Sequence, residues 1–505
     1  MSPAAGNISL IEQYAPICRT ERGRNASLKL AVSKGTTLLA YPSFNNILLR
    51  DVNDVLMRSI VFDGHGYTTT CAAVSPNGLY CCSGDVTGKI IVWALYSSSD
   101  DSASTGRGAS YTFSYTDKVI VYEGELLSGA VREIEWSSDN QRILVAGEGR
   151  GGEMCKCIMW DSGNSVGNFA GISKSVVTAD FRQNRPFRIV TGDEDCKVSF
   201  FEGPPFKFKA SSDIHSNFVN CVRFSPEGNF IVTSSSDKKI AVFDGKNFDQ
   251  LAVVTNAHEG SIFGVCFVSN DTFATVSADK NVKIWRISEQ PEKTEVTLIS
   301  TKSTSETGIN AMQLGCASIC SADREPGQPF VTVSLSGFIN MFEVDNESAG
   351  PSRVVKGHAK AIKALAWCGQ HKILFTGDVA GRVCLWRMGL GNAGVMEGPQ
   401  HPEGGIHISM WERESAGTSV LVSTGLDNVI RLTSVTDIRS RSEDQKVLQF
   451  SDDDGNISKI PMNPQAISPC PQTGVLLCVT TSEILCIKDC QVWLYACSVF
   501  ALIDI

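Results

Sequence analysis

Apolar residues in this chain fall in short runs, alternating with polar residues or continuous over a few positions, and each run is soon cut by Gly, Asp, Asn or Pro. Such runs read as β-strands separated by tight turns, and no segment keeps the three-to-four-residue apolar spacing of a long amphipathic helix. The strands group into units that end near residue 50 and then at Trp93, Trp160, Phe201, Phe243, Trp285 and Phe342. Three further units end at Trp386, near Thr433 and near Ile487.

The units share a spacing. His65 precedes Trp93 by 28 residues, His215 precedes Phe243 by 28, His258 precedes Trp285 by 27 and His358 precedes Trp386 by 28. A period of roughly 40 to 45 with an early His and a late Trp marks the blade of a WD-repeat β-propeller, so the expected fold is all-β. In the segment from 258 to 285, Asp279 is placed to accept from the His258 ring in a tight turn, and Ser277 is expected to link that ring to the Trp285 indole. The segment from 215 to 243 keeps His215, Ser235 and Asp237, with Phe243 packing in place of Trp. The units ending at Trp93 and Trp386 carry Thr87 and Ala380 in the turn position, where the network is expected to be degraded. These four histidines are therefore read as structural. His371, His401 and His407 remain, too few and too scattered for a metal site.

Seven units suffice to close one ring, which removes most exposed sheet edges. The expected organisation is an N-terminal strand segment over 1–17, a complete seven-bladed propeller over 18–345, and a partial second propeller over 346–505. That last part would hold about three blades followed by an atypical apolar tail, QVWLYACSVFALIDI. Residues 97–117 and 316–329 read as inserted surface loops.

Composition narrows the function. The 505 residues are 42% hydrophobic, enough for a large core, and no run of about 20 apolar residues offers a membrane span. The first residues lack a basic head followed by an apolar stretch, so no secretory signal is expected, and the 18 cysteines are expected to be reduced thiols of a cytoplasmic protein. Cys155 and Cys157 face one side of a strand without a second pair, which reads as packing. A net charge of −9 argues against nucleic acid as partner. No nucleophile–base arrangement, phosphate loop or metal-ligand spacing stands outside the repeat, so neither enzymatic activity nor a cofactor is expected.

Several stretches carry a more specific resemblance: FEGPPFKFK at 201–209, RPFRIVTG at 185–192, SGDVTGKIIVW at 83–93, AGEGR at 146–150, NCVRFSPEGN at 220–229, VSLSGFIN at 333–340 and VVKGHAKAI at 354–362. Together they resemble the actin-interacting protein 1 family over about residues 18 to 490. The resemblance implies two joined seven-bladed propellers that bind actin filaments decorated by ADF/cofilin, promote their disassembly and cap barbed ends. It implies a cytoplasmic location on the actin cytoskeleton, and a monomer is expected. A family member would carry fourteen blades. This chain shows about ten, and in the family the strand near Ile8 to Ile17 would complete the last blade of the second propeller. A general WD-repeat scaffold or adaptor is the alternative.

The run FEGPPFKFK has its own logic. Pro204 and Pro205 stiffen the connection, and alternation would aim Phe206 and Phe208 to one side with Lys207 and Lys209 on the other. The aromatic side either enters the core or, rimmed by Lys, meets a partner surface that is apolar and acidic. The resemblance points to Phe208 as a contact, with an acidic turn position at Glu194 and a charged loop containing Glu148 and Arg150. A family glutamate just after that arginine is replaced by Gly151, with Glu153 displaced by one residue.

Overall fold

The computed structural model describes residues 16–495 apart from 54–58, 97–118, 151–152, 168, 291–292, 306–310, 320–328, 345–349, 388–390, 397–399, 403, 414–417, 436–444, 449, 452–456, 459–463, 471–474, 482–483 and 489–490. Most of the strand expected near Ile8 to Ile17, the insertion at 97–117 and most of that at 316–329 lie outside the described residues. Every strand pairing among them is antiparallel except one isolated bridge, between Gly167 and Phe206. The chain divides into two compact units, one containing residues 17–355 and the other residues 356–505.

In the first unit, seven sheets follow one another in chain order, and each is built from consecutive strands. They span 29–62, 69–125, 131–159, 176–212, 219–254, 262–303 and 313–355, called blades 1 to 7 below. Blade 3 has three strands and the others four. The inner strand of each blade packs on its neighbour, and that of blade 7 returns to Lys29–Ser33 of blade 1, so the series is circular. Apolar clusters fill the junctions: Phe62, Cys81 and Trp93 between blades 1 and 2, Leu144, Phe181 and Phe201 between 3 and 4, and Val276, Cys316 and Phe330 between 6 and 7. This is a WD-repeat propeller.

Among the described residues, no blade of this ring borrows a strand from elsewhere in the chain. The segment 17–28 laces blades 7 and 1 together instead. Ala26 N–H donates to Leu314 O at 2.9 Å, Thr20 Oγ1 to Leu335 O at 2.7 Å, and Arg19 N–H to Pro42 O at 3.2 Å. A Cβ at Gly315 would meet the Ala26 carbonyl oxygen at 2.3 Å, so only glycine admits the lace there.

The described residues of the second unit form three four-stranded sheets, over 362–395, 407–448 and 464–495, and a short hairpin at 450–458. The expected apolar tail needs correction, because Gln491–Tyr495 pairs along Ile484–Lys488 as the fourth strand of its sheet. An apolar run without polar turns fits an outer strand as well as a tail. Residues 496–505 lie outside the described residues.

The histidine networks also depart from the sequence expectation. His258 Nε2 lies 2.8 Å from Thr275 Oγ1, and the Trp285 indole N–H donates to the same oxygen at 2.9 Å. Thr275, not Ser277, links the two rings. Ser277 sits at the strand end, where its Oγ accepts the Asp279 amide at 3.2 Å and the turn consumes it. Likewise Thr233, not Ser235, meets His215 at 2.8 Å, while Ser235 donates to Asn217 O. Nor are the other two networks degraded. His65 reaches Asp85 at 3.0 Å and Ser83 at 2.8 Å, and His358 reaches Asp378 at 2.8 Å and Thr376 at 2.7 Å. In these blades the carboxylate stands two residues earlier on the same strand face, where it still reaches the ring. Trp386 donates to Thr376 at 2.6 Å. Trp93 does not join its network: it stacks on Phe62 at 4.3 Å, and its buried indole N–H finds no acceptor among the described residues. His401 forms a fifth network, with Asp427 at 2.7 Å and Ser423 at 3.0 Å.

The His and Asp side chains at these sites are buried. Burial alone would raise the Asp237 carboxyl, but hydrogen bonds from the His215 ring and the Ser216 and Lys239 amides outweigh it and hold the group at about 2. Burial pushes His65 and His401 below the ordinary histidine range. The arrangement fits a neutral imidazole that donates from Nδ1 and accepts at Nε2 from the hydroxyl, whose oxygen accepts from the indole where one is present.

Thr275→Val leaves both the Trp285 donor and His258 Nε2 unpaired in the core and is expected to cost about 2–4 kcal/mol. Ser277→Ala removes one hydrogen bond, that to the Asp279 amide in the turn, and should cost less, about 1 kcal/mol. Urea unfolding of the two variants separates these outcomes.

Candidate functional site

The hairpin of strands Val198–Glu202 and Lys207–Ser212 forms the outer edge of blade 4. Phe206 and Phe208 do not share a side as simple alternation predicted. Phe206 lies in the turn before the strand and bridges Gly167 in the connection from blade 3 to blade 4, so the ladder does not relate it to Phe208. Its ring is fully buried, 5.4 Å from Phe181 and 6.3 Å from Phe169. Phe208 pairs opposite Phe201, touches that ring edge-on at 5.9 Å, and remains 45% exposed.

The lysines differ as well. A bulge leaves Lys209 without a partner opposite, between the Phe201–Phe208 and Phe200–Ala210 pairs. Its Nζ donates to Glu202 at 2.6 Å, and Arg188 holds the same carboxylate at 2.9 Å. The Lys209 bond, with help from Arg188, keeps Glu202 below the usual carboxylate range. Lys207 is exposed and forms no ion pair among the described residues.

Glu194 occupies the turn after Arg188–Asp193, with its amide donating to Ser175 O at 3.1 Å. Its carboxylate has no partner among the described residues and faces the mouth of the central channel. Glu148, in the equivalent turn of blade 3, is occupied: Arg132 Nε donates to it at 3.1 Å, and Arg24 stands 3.7 Å away. The Arg150 amide donates to Ser128 Oγ at 2.7 Å while its side chain stays exposed. Glu153 pairs with Lys156 at 2.8 Å, and that hydrogen bond lowers its carboxyl. Gly151 lies outside the described residues.

The candidates therefore fall in two places. Glu148, Arg150 and Glu194 lie on turns between second and third strands, at one end of blades 3 and 4. Phe208 follows the turn at the other end. It is level with Ile189, five residues and roughly 16 Å along the strand from Glu194. Phe218 was not foreseen: it is 48% exposed in the connection from blade 4 to blade 5 and lines the same channel mouth as Glu194. A phenylalanine set in a polar Ser-Asn turn was the signal available for it.

The model of the WD domain, G-beta repeat, matches residues 57–94, 207–244, 249–286 and 350–387. "Actin-interacting protein 1-2" of Arabidopsis thaliana is 34% identical over 473 residues, covering 93% of this chain and 71% of that protein. "Actin-interacting protein 1" of Drosophila melanogaster is 32% identical over 84% of this chain and 63% of its own length. "WD repeat-containing protein 1" of Xenopus tropicalis is 31% identical over 84% of this chain and 64% of its own length. The chain thus spans less than two thirds of the latter two relatives.

Phe206→Ala removes a fully buried ring and is expected to cost about 3–5 kcal/mol. Phe208→Ala should cost about 1 kcal/mol or less, because much of its ring already meets water. Thermal unfolding midpoints of the two variants, compared with the parent, measure the difference.

Proposed function

The chain belongs to the actin-interacting protein 1 family, and from that membership we propose that it is a non-catalytic protein that binds actin filaments decorated by ADF/cofilin and promotes their disassembly. The proposal extends to capping of the resulting barbed ends, to a cytoplasmic location on the actin cytoskeleton and to a monomeric state. The names of the relatives support actin as partner.

One observation carries the choice of contact. Among the large side chains of blade 4, Phe208 keeps nearly half its surface in water beside an unpaired Lys207, although Phe201 and Phe206 next to it are fully buried. Exposed aromatic surface fixed by a rigid hairpin, with a cation at its rim, suits a partner that is apolar and acidic. Glu194 and Phe218 at the channel mouth supply a second contact of the opposite charge. In this proposal the first unit grips the side of the decorated filament through both patches, and the second unit contributes to barbed-end capping. Cofilin completes the epitope, so bare filaments bind weakly. The overall charge of −9 makes nucleic acid a poor partner.

Co-sedimentation with actin, with and without cofilin, tests this. Binding and actin release are expected to depend on cofilin, and Phe208→Ala should weaken the binding by about tenfold or more. Glu194→Gln should weaken it less. Glu153→Gln should change it little, since Lys156 already occupies that carboxylate. A folded protein that ignores decorated filaments would instead be a scaffold for other partners.

A further inference from the structure

Midway along the channel of the first unit, charged side chains of four blades meet. Lys29 Nζ of blade 1 donates to Glu133 Oε1 of blade 3 at 2.7 Å and also contacts Glu135. Arg223 of blade 5 donates to the other oxygen of Glu133 at 3.2 Å and to Thr178 Oγ1 of blade 4 at 3.2 Å. Asp180 of blade 4 accepts the amides of Phe224 at 2.6 Å and Phe181 at 2.8 Å. The inner strands of blades 2, 5, 6 and 7 add the thiols of Cys71, Cys221, Cys266 and Cys316, and burial raises those of Cys71, Cys221 and Cys316, so they stay neutral. The charged side chains form a septum, with one cavity on each side.

The charges do not balance. Two cations, Lys29 and Arg223, face three carboxyl groups, Glu133, Glu135 and Asp180, and none of the five is more than 17% exposed. An uncompensated charge at such a site is costly, so one carboxyl group takes a proton. Glu133 is held by both cations; burial raises the Asp180 carboxyl, but the two backbone amides it accepts oppose that rise. Among the described residues Glu135 pairs with Lys29 alone, which it shares with Glu133.

We propose that the septum takes up one proton below neutral pH, held on Glu135, and that releasing it leaves three buried carboxylates against two cations, whose mutual repulsion strains the septum where Lys29 ties blade 1 across the channel to blade 3. Burial, opposed by Lys29 and assisted by Asp180 and Glu133, pushes the Glu135 carboxyl up to about 7. A carboxyl raised above its unfolded value binds its proton more tightly when folded. Its contribution to stability is full below the ordinary glutamate range and is lost as pH rises through about 7. The lace next to Lys29 joins blades 7 and 1, so the strain should be felt at that seam.

Hydrogen exchange of the whole protein, followed at residues 24–33 and 311–317 from about pH 6 to about pH 8.5 and corrected for intrinsic exchange, reads the strain. Protection in the parent is expected to fall severalfold over that interval, and Glu135→Gln, which keeps the shape and removes the titration, should abolish the fall. An unchanged fall in Glu135→Gln overturns the proposal, and so does its disappearance in Asp180→Asn alone. Infrared spectra of the parent provide a check that needs no variant. A protonated-carboxyl band present at the lower pH and gone at the higher supports the assignment, and its absence throughout refutes it.

Discussion

A four-stranded sheet with apolar side chains on both faces is stable only between two others. In this protein that requirement organises nearly everything else. The inner junctions of the first unit are filled by rings and aliphatic side chains from facing blades, so a blade removed from its neighbours would expose two apolar faces at once. Seven blades in a circle satisfy every face. The His–Asp networks then meet a secondary need, giving partners to polar groups at the blade ends that close packing shuts off from water.

The repeat was legible because blade geometry fixes chain length. Strands of five or six residues and tight turns return the same position every forty-odd residues, and His258 and Trp285 mark it. The four segments matched by the WD-repeat model are the four that carry such a His and a late Trp or Phe. The blades that lack this His-and-aromatic pair keep the shape, so only their strand pattern revealed them. Which hydroxyl bridges the rings was not legible: Thr275 and Ser277 share a strand face, and only the turn's demand on Ser277 separates them. His401 was set among the leftover histidines because the position of the late aromatic is Thr433, which leaves it without its marker.

The surface was harder to read than the core. Lys207 and Lys209 look alike in sequence, yet the bulge turns Lys209 back onto Glu202 while Lys207 stays free of ion pairs among the described residues. Glu148 and Glu194 occupy equivalent turns, and the difference between them is Arg132, sixteen residues from Glu148 in the chain. Whether a charge is spent inside the molecule or left for a partner depends on contacts that no local motif records. The septum is the extreme case, since Lys29, Glu133, Asp180 and Arg223 are scattered over five blades of chain and look like ordinary strand residues.

Because every blade of the first ring is a continuous piece of chain, the order of synthesis is the order around the circle. Blade 1 leaves the ribosome with one neighbour on the way, but the strand that closes its other flank begins only at Gln313. At translation rates of about 5–20 residues per second, that flank waits on the order of 10–50 s for its partner. Throughout this interval the segment 17–28 can make its contact with blade 1, from the Arg19 amide to Pro42 O, but not those with Leu314 and Leu335. The seam between blades 7 and 1 is thus the last junction of the ring to form, and the stretch that laces it gains its blade 7 hydrogen bonds only when synthesis has passed Leu335.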